Sequence, residues 1–233
     1  MLHFVLVEPA VPENVGAAAR ALKTMGFTEL WIVNSRVHEA KAAHILAHGS
    51  QDILENVRLF DDLQSVRAAV DLMVGTSAKA RHHREILLAP EALRDNLQAK
   101  ADSVRQVALV FGREESGLHS HEIALCDMLT SIPLATTYPS LNLGQSVMLY
   151  AYILSGLQPA TSHGPAVPDQ FAALRDKCSA LLAAVGYGQD EKLYQWFMER
   201  LPLLDKRSIG FAHHLTDKLK AAVLKVAELR DKA

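Results

Sequence analysis

The sequence predicts an α/β domain with a mostly parallel sheet, followed by a helical extension. Three observations carry this. Short, nearly continuous apolar runs such as His3 to Val7 and Gln106 to Phe111 have the character of strands buried on both faces. Helix-length segments with their own start and stop residues alternate with these runs, the pattern of βαβ units. Beyond residue 168 the strand-like runs cease and three helical stretches follow.

Each element has a local reason. After the first strand, Asn14 is placed to cap a helix that Gly26 stops. Leu30 to Val33 is a second strand, and His38 to His48 reads as one helix closed by Gly49. A short strand at Val57 to Phe60 precedes a helix over Asp61 to Ala69. Leu72 to Gly75 is a strand opening into Thr76-Ser77-Ala78. Pro90 to Lys100 is a helix, Gln106 to Phe111 the clearest strand, then a helix near His119 to Leu125 and a strand at Met128 to Ile132. Tyr138-Pro139 imposes an extended approach to Ser140-Leu141-Asn142-Leu143-Gly144-Gln145-Ser146, which runs into the apolar helix Leu143 to Leu157, expected to have no exposed face. Residues 1–157 are therefore expected to form one domain. Gln158 to Pro168, with three prolines, is expected to be a linker, and 169–233 a helical extension with helices over Asp169 to Val185, Asp190 to Arg200 and Lys206 to Lys232. Trp196 and Phe197, with Leu193 and Leu201, are read as packing residues of that extension.

Composition narrows the function. Hydrophobic content of 49% supports a packed core, and a net charge of −2 excludes a chain coated for nucleic acid, so any polyanion contact must be a local patch. Residues 206–232 carry seven Lys and Arg against three Asp and Glu. Cys126 and Cys178 form no CxxC pair and read as small buried groups. His44 and His48 have no carboxylate between them, and no metal is expected. With no basic apolar leader and no membrane-length apolar run, a cytoplasmic protein without membrane contact is expected.

The usual nucleotide and hydrolase motifs fail. The loop Glu8 to Gly16 has a single glycine and two prolines where a dinucleotide turn requires G-x-G-x-x-G, and neither a P-loop nor a G-x-S-x-G elbow occurs. Instead, three stretches are over-equipped with polar groups. In Asn14-Val15-Gly16-Ala17-Ala18-Ala19-Arg20, Arg20 is one turn from Gly16 and is expected to lean back across it toward the loop mouth. Phe111-Gly112-Arg113-Glu114 leaves a strand end, where α/β ligands sit and where Gly112 is expected to let the backbone approach one. Ser140 to Ser146 offers more polar groups than one helix cap needs.

Taken in order, Leu6-Val7-Glu8-Pro9, Pro12 to Arg20, Thr76-Ser77-Ala78, Val110-Phe111-Gly112-Arg113-Glu114 with Gly117-Leu118, and Ser140-Leu141-Asn142-Leu143 resemble the SPOUT class of RNA methyltransferases, most closely the TrmJ-type tRNA ribose 2′-O-methyltransferases. The resemblance covers about residues 1–157. It implies a C-terminal trefoil knot, a homodimer with the active site near the subunit interface, S-adenosyl-L-methionine as cofactor and tRNA as partner, in its anticodon-loop region. Ribosomal RNA as substrate and a catalytically silent homologue are the alternatives. It assigns cofactor loops to Thr76, Ser77 and Ala78, to Leu109, Val110, Phe111 and Gly112, to Ile132 to Leu134, and to Ser140, Leu141 and Asn142. It assigns catalysis to Arg20, supported by Asn14, Glu114, Ser140 and Asn142. An arginine is a poor base because its pKa exceeds ~12, so a clamp on a neighbouring phosphate and on developing oxyanion charge suits Arg20 better. One departure is Lys79 after Ala78, where the family has arginine. Lys79, Arg81, His82, His83 and Arg84 make a basic loop expected to touch phosphate, as are Lys206 and Arg207 in the extension.

Overall fold

The computed structural model describes residues 1–77, 86–136, 140–157 and 170–230, the last five by their backbone alone. They divide into two compact units, one of Met1–Gln98 with Gln106–Pro159 and one of Ala99–Arg105 with Ala160–Ala233. The basic loop from Lys79 to Arg84, Ala78, Tyr138-Pro139 and the expected linker lie outside the described residues.

The first unit runs β1 (Leu2–Val7), α1 (Pro12–Thr24), β2 (Leu30–Val33), α2 (Lys41–Leu46), α3 (Gln51–Glu55), β3 (Arg58–Phe60), α4 (Leu63–Ala69), β4 (Leu72–Thr76), α5 (Pro90–Lys100), β5 (Val107–Phe111), α6 (Ser120–Leu125), β6 (Met128–Thr130) and α7 (Leu143–Leu154). The six strands form one sheet in the order β3-β2-β1-β5-β4-β6. Every pairing is parallel, so all the strands end at one edge. β1 and β5 are neighbours where the winding reverses, and the loops leaving them flank the crevice in which ligands of such sheets bind.

Both sheet faces are covered, which is why the strands read as continuous apolar runs. Val5, Val7, Met73, Ala108 and Val110 pack with Leu63 and Val66 of α4 and Ile123 of α6. Alternate residues Phe4, Leu6, Leu109 and Phe111 point to the opposite face and are also buried. There the Phe111 ring lies against Phe4 and against Tyr150 of α7, at 6.1 and 5.6 Å between centroids. Each such side chain, fully buried, contributes about 2 kcal/mol.

Four local expectations are corrected. The residue capping α1 is Val11, with extended backbone and no side-chain bond, and Pro12 begins the helix. Asn14 therefore lies inside the first turn, free to bond elsewhere. The segment after β2 is a short 3-10 turn at Val37–Glu39 and then α2, because Ala40 adopts an extended conformation between them. The last strand stops at Thr130, short of Ile132. Lastly, α7 has an exposed apolar face made by Met148, Leu149 and Tyr152, the last 66% exposed.

The second unit holds the end of α5 from Ala99 onward, α8 (Gln170–Ala184), α9 (Lys192–Arg200) and α10 (Lys206–Arg230). Phe171, Leu174, Cys178, Leu201 and Ile209 are buried. The fully buried Lys100 donates from Nζ to the Leu204 carbonyl at 2.7 Å and lies over the Phe171 ring. The reading of Leu193, Trp196, Phe197 and Leu201 as packing residues holds in part: Leu201 is buried and Phe197 half-buried, whereas Trp196 is 49% and Leu193 46% exposed. Among the described residues, no helix is long and apolar enough to cross a membrane.

Candidate active site

The loop after β1, the loop after β5 and the start of α7 meet through one chain of hydrogen bonds. Glu114 accepts from the backbone N–H groups of Ala10 at 3.1 Å and Val11 at 3.3 Å, and from Nδ2 of Asn14 at 3.0 Å. The Asn14 side-chain oxygen in turn accepts from Nδ2 of Asn142 at 2.7 Å. Asn142 caps α7, its Oδ1 accepting from the Gly144 N–H at 2.8 Å, while the Gln145 side chain accepts from the Asn142 backbone N–H. Three sequence-predicted residues, Asn14, Glu114 and Asn142, thus form one connected group. Burial pushes the Glu114 carboxyl upward. The Asn14 amide and the N–H groups of Ala10, Glu114 and Val11 together outweigh it, and the carboxyl lies below its ordinary range.

Arg113 braces the same loop from the other side. Its Nε donates to Glu8 at 2.7 Å, and its two terminal nitrogens donate to the two oxygens of buried Glu122 at 3.0 Å each. The pairing raises the guanidinium pKa further above its usual range. Glu122 also accepts from the His119 N–H, and Glu8 from Asn34. Glu8 holds a φ of 45°, a left-handed conformation that costs a non-glycine residue about 1 kcal/mol. Sequence reasoning missed Glu8 and Glu122 as partners. Their signal was weak: carboxylates 105 and 9 residues from Arg113 share no motif with it. Ligand atoms of His119, His121 and Glu122 lie within 4.8 Å of one another, but Glu122 is engaged by Arg113.

Close contacts within the protein explain the glycines. A Cβ on Gly16 would stand 2.2 Å from the Ala43 carbonyl oxygen of α2, so Gly16 admits α2 rather than clearing a path for Arg20. A Cβ on Gly112 would meet the Gly117 and Leu118 backbone at 2.1 to 2.2 Å, so the loop folds on itself there. A Cβ on Gly144 would come 2.9 Å from Cβ of Ala17, which sets the approach of α7 to α1.

The remaining predicted residues fall into two groups. Leu109, Val110 and Phe111 have buried side chains and offer a ligand at most their backbone. Thr76 donates to the Val110 carbonyl and the Ser77 N–H to that of Thr130, which knits the ends of β4, β5 and β6. Ile132 is half-buried, Leu134 is 41% exposed, and Ser140 and Asn142 are exposed with Leu141 between them half-buried. Arg20 is exposed on α1, and its guanidinium joins no hydrogen bond or ion pair among the described residues. In the second unit, Lys206 is paired with Asp102 at 2.6 Å, whereas Arg207 lies over the Phe211 ring at 5.5 Å.

The chain matches the SpoU rRNA Methylase family over residues 1–152 and the C-terminal domain of tRNA/rRNA methyltransferase LasT over residues 168–223. It is 43% identical over 226 residues to a protein of Escherichia coli K12 described as an uncharacterized tRNA/rRNA methyltransferase LasT, covering 96% of this chain and 99% of that one. It is 40% identical over 152 residues to the tRNA (cytidine/uridine-2′-O-)-methyltransferase TrmJ of Citrobacter koseri, covering 65% of this chain and 62% of that one. Among solved structures, a probable methylase family protein from Haemophilus influenzae Rd KW20 superposes with a TM-score of 0.65 at 28% identity, over 98% of each chain.

Proposed function

The chain belongs to the SpoU methylase family, as a tRNA/rRNA methyltransferase of the TrmJ and LasT type, and from that premise we propose that it methylates the 2′-hydroxyl of a ribose in tRNA, using S-adenosyl-L-methionine. The observation that carries this reading is the chain of bonds from Glu114 through Asn14 to Asn142, which ties three loops at the strand ends into one rigid frame.

The cofactor fits what the strand ends offer. Exposed Leu134 and half-buried Ile132 provide apolar surface for a purine, and the ends of β4 and β5, already tied together by Thr76, present backbone groups beside it. Ser140 and Leu141, just ahead of the α7 cap, complete the cofactor set. When bound, S-adenosylmethionine supplies a methyl group already activated on a sulfonium.

The protein's own task is the acceptor. A ribose hydroxyl is a weak nucleophile at neutral pH, so positioning and stabilisation of developing oxygen charge dominate. Arg20, exposed and unpaired among the described residues, clamps a phosphate of the RNA and faces that oxygen. Glu114 and Asn14 act as positioning residues that hold the loop from Ala10 to Val11 and the start of α1, the helix whose later turns carry Arg20. The basic loop from Lys79 to Arg84 adds phosphate contacts. The family reading further assigns a C-terminal trefoil knot and a homodimer. The exposed Met148, Leu149 and Tyr152 of α7 suit the latter.

Labelled S-adenosylmethionine incubated with the protein and total RNA tests this, the modified nucleotide then being mapped. Label on a tRNA ribose is the expected result. Label confined to rRNA would move the substrate, and no label with cofactor binding intact would leave a silent homologue.

A further inference from the structure

Two neighbouring strands leave the sheet in the same strained way. Val7 ends β1, Val33 ends β2, and the two are paired across the sheet. The residue after each, Glu8 and Asn34, is left-handed, with φ of 45° and 50°. Among the described residues, the other non-glycine residue with such a φ is Ala101. Asparagine enters this conformation readily, whereas glutamate does not, and glycine would occupy position 8 without strain. A strained glutamate where glycine would sit at ease implies a task for its side chain.

Both carboxylate oxygens of Glu8 are engaged. Oε1 accepts from Nδ2 of Asn34 at 3.1 Å, and Oε2 accepts from Nε of Arg113 at 2.7 Å. Beside them, Ser35 Oγ donates to the Pro9 carbonyl at 2.9 Å. Arg113 is itself firmly held. Its backbone N–H and carbonyl both pair with Gly117, and its two terminal nitrogens are bound to Glu122. The following residue, Glu114, accepts from the N–H groups of Ala10 and Val11. Consecutive residues of one loop thus grip the chain at Glu8 and again at Ala10 to Val11. Helix α1 starts at the next residue, Pro12, and Val11 gives it no side-chain cap. The direction in which α1 leaves the sheet is therefore set from outside the helix.

We propose that Glu8 is a positioning residue for methyl transfer, its carboxylate fixing the exit of α1 from the sheet and with it the place of the Arg20 guanidinium. The inference rests on the reaction and on the role of Arg20 proposed above. From Pro12 to Arg20 is about 12 Å along the helix axis. A tilt of about 5° at the helix start moves Arg20 by about 1 Å, and a misplacement of that size costs roughly a hundredfold in rate. The buried face of α1, with Val15, Ala18, Ala19 and Leu22, resists larger tilts, so the loss should be kinetic rather than structural.

Substitutions at position 8 separate the side chain from the backbone. Glu8→Gly removes the carboxylate and the strain together, whereas Glu8→Ala removes the carboxylate and leaves the strain. In both, kcat should fall roughly tenfold to a hundredfold, with the KM for S-adenosylmethionine unchanged. Melting should differ, with Glu8→Gly within about 4 °C of wild type and Glu8→Ala below it. Glu8→Gln still accepts from Arg113 and should recover part of kcat. Glu8→Gly added to Arg20→Lys should cost less than it does in the wild type, since the group being positioned is already impaired. A glutamate that serves the backbone alone would leave Glu8→Gly as active as the wild type, and that result would overturn the proposal. If the wild-type chain transfers no methyl group, the catalytic reading falls and hydrogen exchange tests the grip on α1 by itself. The Ala10 and Val11 amides should then exchange roughly tenfold faster in Glu8→Gly, and unchanged rates would overturn the role of Glu8.

Discussion

The Asn142 amide donates to the Asn14 side-chain oxygen at 2.7 Å across 128 residues of chain. The bond is directional. Asn14 can accept from Asn142 only because its own Nδ2 is turned toward Glu114, and Asn142 can donate only because its oxygen caps Gly144. Asn14→Asp would set a carboxylate against Glu114 and is expected to destabilise the fold by about 1–3 kcal/mol. Asn142→Ala removes the α7 cap and should cost about 1 kcal/mol. In urea denaturation, Asn14→Ala and Asn142→Ala together should cost less than their sum, by about 0.5 kcal/mol or more. Strict additivity would mean that the two loops are independent.

Helix packing around α1 is set by absent side chains. Gly16→Ala would drive a Cβ to 2.2 Å from the Ala43 carbonyl oxygen, backbone that cannot swing aside. A loss of about 1–3 kcal/mol is expected, as for an overpacked core. Gly144→Ala meets the Ala17 Cβ at 2.9 Å, and Ala17→Gly should recover part of that loss. Thermal unfolding of the three variants would read this, and a Gly16→Ala protein melting with the wild type would refute the close approach.

The parallel sheet was legible because strands buried on both faces carry uninterrupted apolar runs, as Val107–Phe111 does. Asn14, Glu114 and Asn142 were legible as polar groups in excess of local need. Their mutual bonds were not, since a cap preference places Asn14 at a helix start and says nothing of a partner 100 residues away. What the bare Gly16 and Gly112 make room for inside the protein was not legible for a related reason. A missing Cβ can admit a ligand or a neighbouring backbone, and only coordinates distinguish the two. On α9, Trp196 looked like core because a large ring at helical spacing usually is, yet the helix turns it outward.

Arg20 separates stability from chemistry. Its guanidinium is exposed and makes no bond among the described residues, so Arg20→Ala should shift stability by less than about 0.5 kcal/mol. Methyl transfer should nevertheless be abolished, with S-adenosylmethionine binding retained in calorimetry. Arg20→Lys keeps the charge and loses the planar fork, and should recover only a small part of the rate. Normal turnover in Arg20→Ala would remove this residue from the reaction.

Acid should loosen the active-site frame in a defined window. Glu8, Glu114 and Glu122 all lie below their ordinary value of 4.5 in the folded protein. For Glu8 the leading cause is the Arg113 bond. For Glu114 and Glu122, burial pushes upward and is outweighed by their hydrogen bonds. A carboxylate depressed by folding contributes stability that is complete above its unfolded value and fades as pH falls through the folded one. The share of the unfolding free energy that these three carboxylates supply should therefore hold steady from neutrality to about pH 5 and decline below it. Glu122→Gln removes the buried end of the Arg113 brace while Glu8 still holds the other, and should cost about 2 kcal/mol at neutral pH. As Glu122 becomes protonated in the wild type the two proteins become alike, so that difference should be smaller in denaturant titrations at acid pH than at neutral pH. A difference of the same size at both pH values would show that the carboxylate's charge contributes nothing, and that Arg113 is held by shape alone.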